Sequence, residues 1–182
     1  MKDNHNQQSK VTTPLSHQRG GGGEAVLFPG SFDPFTIGHY NLVERALRLF
    51  DEVIIAVGVN ERKSGWIPVE ERVQAIRTLY NNNACVRVET YTGLTTDFAT
   101  AVGATAILRG VRSIQDFEYE CQMADINRRL TGIETICLFA DPALADISSS
   151  VVRELAHFGH DIAPYRPPKP SDTCRESRGN KG

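Results

Sequence analysis

The chain has 182 residues, of which 40% are hydrophobic, and this is enough for one folded domain around a single core. Its formal net charge of -2 provides no overall positive field, so neither nucleic acid nor an anionic membrane surface is expected as a partner. There is no apolar run of about 18 residues and no apolar stretch near the N-terminus, so we expect neither a membrane span nor a secretory signal.

The two ends of the chain differ in composition from the part between them. Residues 1–24 are polar and end in consecutive glycines, which is typical of a disordered extension. Residues 166–182 combine prolines with charged side chains and predict a flexible tail. The folded domain is therefore predicted to span residues 25–165.

Between these ends, short apolar runs alternate with stretches of helical periodicity. Residues 53–59 are apolar throughout, which is typical of a strand buried on both faces of a parallel sheet. The alternation predicts an α/β fold: a doubly wound, mostly five-stranded parallel sheet with helices on both faces, which binds ligands at the carboxyl ends of its strands. Strands are predicted at 25–28, 53–59, 84–89, 104–108 and 134–139, and helices at 41–50, 68–80, 94–102, 114–130 and 148–157.

The stretch from Phe28 to His39 joins the first predicted strand to the first predicted helix. Its glycines let backbone amides approach a ligand, and a helix N-terminus favours an anionic group. His39, at the start of that helix, can donate a hydrogen bond to a phosphate. The stretch matches neither the Gly-x-Gly-x-x-Gly spacing of dinucleotide-binding folds nor a P-loop, so it predicts a nucleotide triphosphate site of another kind.

Two arginines, Arg109 and Arg112, follow the fourth predicted strand. That strand and the first end at the same edge of the sheet, so the arginines suit the binding of phosphate oxygens. From position alone, they are equally compatible with surface arginines paired to Asp116 or Glu118.

Two further polar features also have two interpretations each. Ser148, Ser149 and Ser150 open the last predicted helix, where hydroxyls and free amides either form an anion site or simply cap the helix. Lys63 follows the second predicted strand, and it is either directed to the ligand edge of the sheet or a solvated surface lysine.

The cysteines form no C-x-x-C pair and have no accompanying histidine cluster, so neither a disulfide framework nor a zinc site is expected. Cys85 and Cys137 lie in apolar, strand-like runs and are predicted to be small buried hydrophobic residues. Together with the lack of a leader, this cysteine usage predicts a cytoplasmic location.

The motif Thr36-Ile37-Gly38-His39 resembles the Thr/His-x-Gly-His signature of the nucleotidyltransferase superfamily. Taken with the block from Arg109 to Glu120, the run from Ile147 to Ser150 and Lys63, it resembles the bacterial phosphopantetheine adenylyltransferases over residues 25–165. Glycerol-phosphate cytidylyltransferases and nicotinamide-nucleotide adenylyltransferases have a similar first loop but lack this arginine block. The resemblance implies the Rossmann-like fold of that superfamily.

The resemblance also implies a reaction, in which the adenylyl group of ATP passes to 4'-phosphopantetheine to give dephospho-CoA and pyrophosphate. The acceptor's phosphate attacks the α-phosphorus in line. Because that phosphate is already largely anionic, no general base is needed, and catalysis consists of positioning and charge neutralisation. The family likeness further implies Mg²⁺ carried by the ATP phosphates with no metal ligands from the protein, a homohexamer, and feedback inhibition by coenzyme A at the same pocket.

The same likeness assigns roles to individual residues. The catalytic residues are His39, which stabilises the transition state, and Lys63 and Ser31, which hold the attacking phosphate. The acceptor side comprises Ser31, Lys63, Leu94, Thr95 and Arg109. The ATP side comprises Ser31, Phe32, Gly38, His39, Gly110, Val111, Arg112, Glu120, Leu144, Ser148, Ser149 and Ser150.

The chain departs from the usual pattern of the family at three positions. Ser31 replaces a threonine of many members and keeps the hydroxyl. Leu144 lies in a stretch that often carries an aromatic residue near the adenine, and it can pack against the base but cannot stack on it. Gly93 stands where an acidic residue is common.

Two other functions fit part of the sequence. A sister nucleotidyltransferase would use another phosphorylated acceptor, such as nicotinamide mononucleotide. A nucleotide-binding regulatory module without activity would be expected to lack the catalytic cations, yet His39, Lys63, Arg109 and Arg112 are all present.

Overall fold

The computed structural model describes residues 23–60 and 65–169. The predicted extension and tail lie almost entirely outside the described residues, as does Lys63, so those predictions stay predictions. The strands are β1 (Ala25–Gly30), β2 (Glu52–Gly58), β3 (Val86–Tyr91), β4 (Ala106–Val111) and β5 (Glu134–Phe139). The helices are α1 (Ile37–Ala46), α2 (Val69–Leu79), α3 (Thr95–Ala101), α4 (Ile114–Thr131) and α5 (Ser149–His157), with 3-10 turns at Pro142–Leu144 and Ala163–Tyr165.

Within the described residues, the strands form one five-stranded sheet in the order β3-β2-β1-β4-β5, and every neighbouring pair is parallel. This confirms the predicted α/β fold. Side chains of β1 alternate between the two faces, as the pleat of a strand requires. Val26 and Phe28 pack with residues of α1 and α2, whereas Ala25 and Leu27 pack with Ala99 of α3. Helices therefore cover both faces, as the doubly wound pattern predicts.

The centre of the sheet opens where β1 and β4 meet. β1 pairs with β2 along its whole length but with β4 only at Val26 and Leu27. This junction is also where the strand order reverses direction. In open α/β sheets, such a switch point is where ligands bind, outside the carboxyl ends of the strands. The fold thus places a candidate site between the loops that follow β1 and β4.

Several predicted boundaries move by two to four residues, and the cause is local at the starts of α1 and β3. α1 begins at Ile37, before the apolar periodicity starts, because Thr36 caps it with its side chain. β3 begins at Val86 because Cys85 belongs to the preceding turn, where its amide donates to the side chain of Asn83 at 3.1 Å.

The prediction of buried cysteines was wrong. Cys85 is exposed, since it lies in that turn before β3. Cys137 is only half-buried, since it belongs to β5, the edge strand of the sheet. Both are free thiols. As for a membrane span, none of the described helices combines the length and the apolar character needed to cross a bilayer.

Candidate active site

A cavity of about 340 Å³ opens at the carboxyl ends of β1 and β4, and we call it the inner cavity. Its wall consists of the loop after β1, the end of β4 with the start of α4, and the segment that leads into α5. The fold therefore brings together three segments that were far apart in the sequence. The predicted residues that line it are Ser31, Phe32, Gly38, His39, Arg109, Gly110, Arg112, Glu120, Leu144, Ser148, Ser149 and Ser150.

His39 and Thr36 form a reciprocal cap at the start of α1. The Thr36 amide donates to Nδ1 of His39 at 3.0 Å, and the His39 amide donates to Oγ1 of Thr36 at 3.4 Å. Because Nδ1 accepts a hydrogen bond from the backbone, it carries no proton, and the neutral ring holds its proton on Nε2. The cap therefore selects the tautomer in which Nε2 is the hydrogen-bond donor.

The imidazole of His39 lies among aromatic rings. Its centroid is 5.1 Å from that of Phe32, 5.4 Å from that of Phe35 and 6.1 Å from that of Phe28. This burial, aided by the positive charge of Arg112, lowers the pKa of His39 to about 4. The ring is nevertheless half-buried and lines the cavity. At neutral pH, His39 is thus an uncharged donor that a ligand can reach.

The loop before α1 has an unusual backbone at Phe32. This residue has φ of 48°, in the left-handed region that bulky side chains seldom adopt. Its ring folds back over Gly30, where an added Cβ would come within 2.8 Å of the ring. Gly30 is therefore required by the close approach of Phe32, and that approach holds the Phe32 ring edge-on to His39.

Arg109 forms a two-pronged ion pair with Glu120. Nε and Nη2 of Arg109 donate to the two carboxylate oxygens at 2.8 and 2.7 Å, and Nη1 donates to the carbonyl of Pro29 at 3.3 Å. Burial acts to lower the pKa of Arg109, but the hydrogen bonds and charge of Glu120 outweigh it, so the pKa is raised. These three bonds use three of the five N–H groups of the guanidinium, so two donors remain for a ligand.

Arg112 is held by an acid one turn along α4. Its Nε donates to the Asp116 carboxylate at 2.9 Å, which is the pairing to Asp116 that the sequence allowed. Burial acts to raise the pKa of Asp116, but the hydrogen bonds and charge of Arg112 prevail and lower it. Both residues also line the inner cavity, so pairing to an acid and contact with a ligand are compatible here.

The serines at the start of α5 have three different partners. Ser148 is the N-cap, and its Oγ accepts from the amide of Val151 at 3.2 Å. Ser149 donates to the carbonyl of Pro34 at 2.9 Å, and Ser150 accepts from Arg153 at 3.1 Å. The capping interpretation therefore holds for Ser148, while Ser149 ties α5 to the loop after β1.

A second, more open cavity of about 830 Å³ adjoins the first, and we call it the outer cavity. It is lined by the ends of β1, β2 and β3 and by the residues that follow β2 and β3. Among the described residues, Pro29, Gly30, Ser31 and Arg109 line both cavities. Ser31 and Arg109 therefore provide the polar side chains at the boundary between the two cavities.

Three predicted residues lie at the margins of these cavities. Val111 is 2% exposed and contributes to the core rather than to a cavity wall. Leu94 is the exposed N-cap residue of α3, and Thr95 shares a 2.9 Å hydrogen bond with the Tyr91 hydroxyl. The outer cavity is lined instead by the preceding residues 91–93.

Arg153 escaped the sequence reasoning, and so did the capping role of Thr36, which the sequence analysis names only as part of the motif. Arg153 lines the inner cavity and donates to the carbonyl of Asp33 at 2.7 Å. The Thr-x-x-His spacing at 36–39 is that of a capping box, in which the residue three positions after the N-cap is normally Glu or Gln. The spacing could therefore have predicted that Thr36 caps the helix. No local signal predicts Arg153, because its partner is 120 positions away in the sequence.

The described residues contain no cluster of three or more potential metal ligands. The acids of the inner cavity, Asp116 and Glu120, are both engaged with arginines. Neither is therefore an unpaired carboxylate available to an ion.

Comparison with known proteins identifies the family. Residues 27–155 match the cytidylyltransferase-like family. The chain is 55% identical over 142 residues to a phosphopantetheine adenylyltransferase of Phocaeicola vulgatus, a match that covers 78% of this chain and 94% of that protein. It is 41% identical over 156 residues to the phosphopantetheine adenylyltransferase of Streptomyces coelicolor, covering 86% of this chain and 98% of that protein. The chain belongs to the phosphopantetheine adenylyltransferase family.

Solved structures of much lower sequence identity share the fold of this chain. A putative nicotinate-nucleotide adenylyltransferase from Vibrio parahaemolyticus aligns with a TM-score of 0.53 at 18% identity, covering 80% of this chain and 94% of that one. A bifunctional NMN adenylyltransferase/ADP ribose pyrophosphatase from Francisella tularensis aligns with a TM-score of 0.60 at 16% identity, covering 79% of this chain and 45% of that one. At such identities these likenesses show the fold alone.

Proposed function

We propose that this enzyme transfers the adenylyl group of ATP to 4'-phosphopantetheine, releasing pyrophosphate and forming dephospho-CoA. The observation that carries the proposal is the close relationship to proteins named phosphopantetheine adenylyltransferase, at 41 to 55% identity over most of the chain. The two adjoining cavities support it, because the reaction needs two phosphorylated substrates side by side.

ATP occupies the inner cavity in this proposal, and the acceptor occupies the outer one. The inner cavity offers His39, Arg112 and the N-terminus of α5 to the triphosphate, and a helix N-terminus favours negative charge. Ser31 and Arg109, at the boundary, are close to the point where the two phosphates would meet. The placement explains why these two residues line both spaces.

The reaction is a direct in-line displacement at the α-phosphorus. An oxygen of the acceptor's phosphate forms the new P–O bond as the bond to pyrophosphate breaks, and no proton has to be removed from the nucleophile. The protein contributes alignment of the two anions and stabilisation of the charge that grows on pyrophosphate. His39 serves this purpose through its Nε2 proton, while Lys63 and Ser31 hold the attacking phosphate.

Arg109 is suited to the boundary because Glu120 fixes its orientation. The ion pair holds the guanidinium plane, and the two remaining N–H donors are available to phosphate oxygens. Leu144 lies at the wall of the inner cavity, where it would pack against the adenine. Gly110 also lines this wall, and its position favours glycine because an added Cβ would come within 2.5 Å of Leu42.

Mg²⁺ enters this proposal as a partner of the ATP phosphates. The engaged state of Asp116 and Glu120 fits an ion that arrives on the triphosphate better than one held by the protein. When bound, such an ion neutralises part of the phosphate charge. A homohexamer, a cytoplasmic location and feedback inhibition by coenzyme A are further proposals that rest on the family likeness.

Pyrophosphate release from ATP, measured with each of two acceptors, tests the proposal. We expect turnover with 4'-phosphopantetheine and none above background with nicotinamide mononucleotide. Turnover with nicotinamide mononucleotide alone would show that the protein is instead a sister nucleotidyltransferase. Absence of turnover with both, in a protein shown to be folded and to bind ATP, would favour a regulatory module.

A further inference from the structure

The loop between β1 and α1 is fastened by side chains that reach its backbone carbonyls. Arg72 of α2 donates through Nη1 to the carbonyl of Ser31. Arg153 of α5 donates to the carbonyl of Asp33 at 2.7 Å, and Ser149 donates to that of Pro34 at 2.9 Å. Two helices that are far apart in the sequence, α2 and α5, thus hold the loop between β1 and α1.

The carbonyls held by the two arginines lie on either side of Phe32. This residue has the left-handed backbone, and its ring contacts the ring of His39. A left-handed conformation at a bulky residue costs of order 1–3 kcal/mol and persists only where neighbouring structure enforces it. The hydrogen bonds at positions 31 and 33 are therefore well placed to enforce it.

Arg72 is unusual because its charged side chain is buried. It is 7% exposed, yet among the described residues no carboxylate lies within 4 Å of its nitrogens. Its Nε is buried without a hydrogen-bond partner. The buried carboxylate of Asp33 instead accepts the amides of Trp66 and Ile67, at 2.7 and 2.9 Å. A buried cation with no carboxylate partner among the described residues lowers stability, so its hydrogen bond to the loop calls for an explanation.

Arg72 does not belong to either ligand space. It lines neither the inner nor the outer cavity, whereas Ser31, the residue it holds, lines both. Any effect of Arg72 on catalysis must therefore pass through the loop. The path is short, since Ser31 precedes Phe32 and the Phe32 ring is edge-on to His39 at 5.1 Å.

We propose that Arg72 is a positioning residue for the reaction. From behind the loop, it fixes the Ser31 carbonyl and with it the placement of the Ser31 hydroxyl and of the Phe32 and His39 rings. Among the described residues, the Ser31 carbonyl is the one hydrogen-bond acceptor of the Arg72 guanidinium. This inference rests on the proposed adenylyl transfer for its kinetic readout, but its structural readout does not depend on that activity.

The substitution that tests the proposal is Arg72→Met, with Arg77→Met as its matched control. Both arginines belong to α2, and each donates to one backbone carbonyl, since Nη2 of Arg77 donates to Val88 at 3.0 Å. The hydrogen bond of Arg77 goes to β3 and not to the loop. Met keeps the volume and removes the charge. Because Arg72 is 7% exposed whereas Arg77 is exposed, thermal unfolding of both variants is measured first, and their kinetics are compared at a temperature at which both are folded.

The kinetic readout is kcat against KM, with ATP and 4'-phosphopantetheine varied in turn. For Arg72→Met we expect kcat to fall about tenfold to a hundredfold, since a misplacement of about 1 Å can cost that much, while KM for ATP changes less than about threefold. Arg77→Met retains the wild-type kcat. The more conservative Arg72→Lys, which keeps a donor and a charge, recovers part of the loss and provides the same comparison should Arg72→Met fold poorly.

The structural readout is the NMR signal of the His39 ring, assigned by its loss in His39→Gln. The ring currents of Phe32 and Phe35 make this signal sensitive to the geometry of the loop. We expect it to shift in Arg72→Met and not in Arg77→Met. An unshifted His39 signal or a wild-type kcat in Arg72→Met would overturn the proposal, as would equal kcat losses in both variants. If the wild type does not turn over 4'-phosphopantetheine, the proposed function fails, and the NMR comparison still decides the role of Arg72.

Discussion

The ion pair between Arg109 and Glu120 predicts a large and specific effect of Glu120→Gln on stability. The Glu120 side chain is 8% exposed and that of Arg109 is 31% exposed, so the pair lies largely out of water. Breaking a fully buried pair costs about 3–5 kcal/mol, because a charge is left without a partner. Since Arg109 keeps some access to solvent, we expect about 2 kcal/mol, or about 4–8 °C in Tm for a domain of this size.

The matched control is Asp116→Asn, which breaks the neighbouring pair with Arg112. There the side chains are 41% and 28% exposed, so the expected cost is about 0.5 kcal/mol or less. Urea unfolding of the wild type and both variants at pH 7 gives the comparison. If Glu120→Gln costs no more than Asp116→Asn, the Arg109 pair contributes nothing beyond a surface pair and the reasoning from burial fails. Turnover with 4'-phosphopantetheine should fall with Glu120→Gln, because Arg109 loses its fixed orientation.

Four further predictions concern the loop and His39. His39→Ala should lower kcat by about 10²–10³-fold with a smaller change in KM for ATP, and a near-normal kcat would contradict its role as a donor to the developing charge. An NMR titration of the free protein should give His39 a pKa near 4 and, with bound ATP, a higher one, because the phosphates favour the protonated ring. Between pH 6.5 and 4 the unfolded chain then binds a proton on His39 that the folded chain does not bind. The free energy of unfolding therefore decreases as the pH is lowered, by up to about 2 kcal/mol from pH 7 to pH 5. The His39→Gln variant should lose less stability over the same interval. Gly30→Ala should destabilise the fold and lower turnover, because its Cβ would come within 2.8 Å of the Phe32 ring, and an unchanged Tm would show that this ring can move aside at no cost.

The fold was predictable because its signals are local and repeated. The segment 53–57 is apolar throughout, which is expected only of a strand covered on both faces. In the structure, all five of these residues are completely buried. The position of the site followed from topology, because the loops after β1 and β4 had to share an edge. The prediction for Cys85 was wrong because apolar neighbours in the sequence do not reveal a turn. The side chain of Asn83 accepts a hydrogen bond from the Cys85 amide and so supports a turn before β3.

The finer geometry could not be predicted, because it depends on contacts between distant segments. Arg153 and Asp33 meet only when α5 docks against the loop after β1. Arg109 and Glu120 were assigned to different substrates, and their pairing appears only when α4 folds back against β4. For Leu94 and Thr95, the family pattern predicted an acceptor contact, whereas the described cavity wall ends at Gly93. Whether a bound acceptor reaches them stays a prediction.

The reciprocal cap at the start of α1 has a consequence for how the enzyme responds to acidity. Histidine is ordinarily the side chain that changes charge near physiological pH. Here protonation of Nδ1 would sacrifice the bond from Thr36 and place a cation among phenylalanine rings, so His39 of the free enzyme keeps one charge state over the whole neutral range. Any fall of kcat/KM on mild acidification, which reports the free enzyme and the free substrate, should then originate in the substrate, whose phosphate dianion takes up its first proton at a pKa of about 6. In the free protein, the fold therefore keeps the charge of the His39 imidazole constant across the neutral range, and the group whose charge changes there is the phosphate of the proposed acceptor.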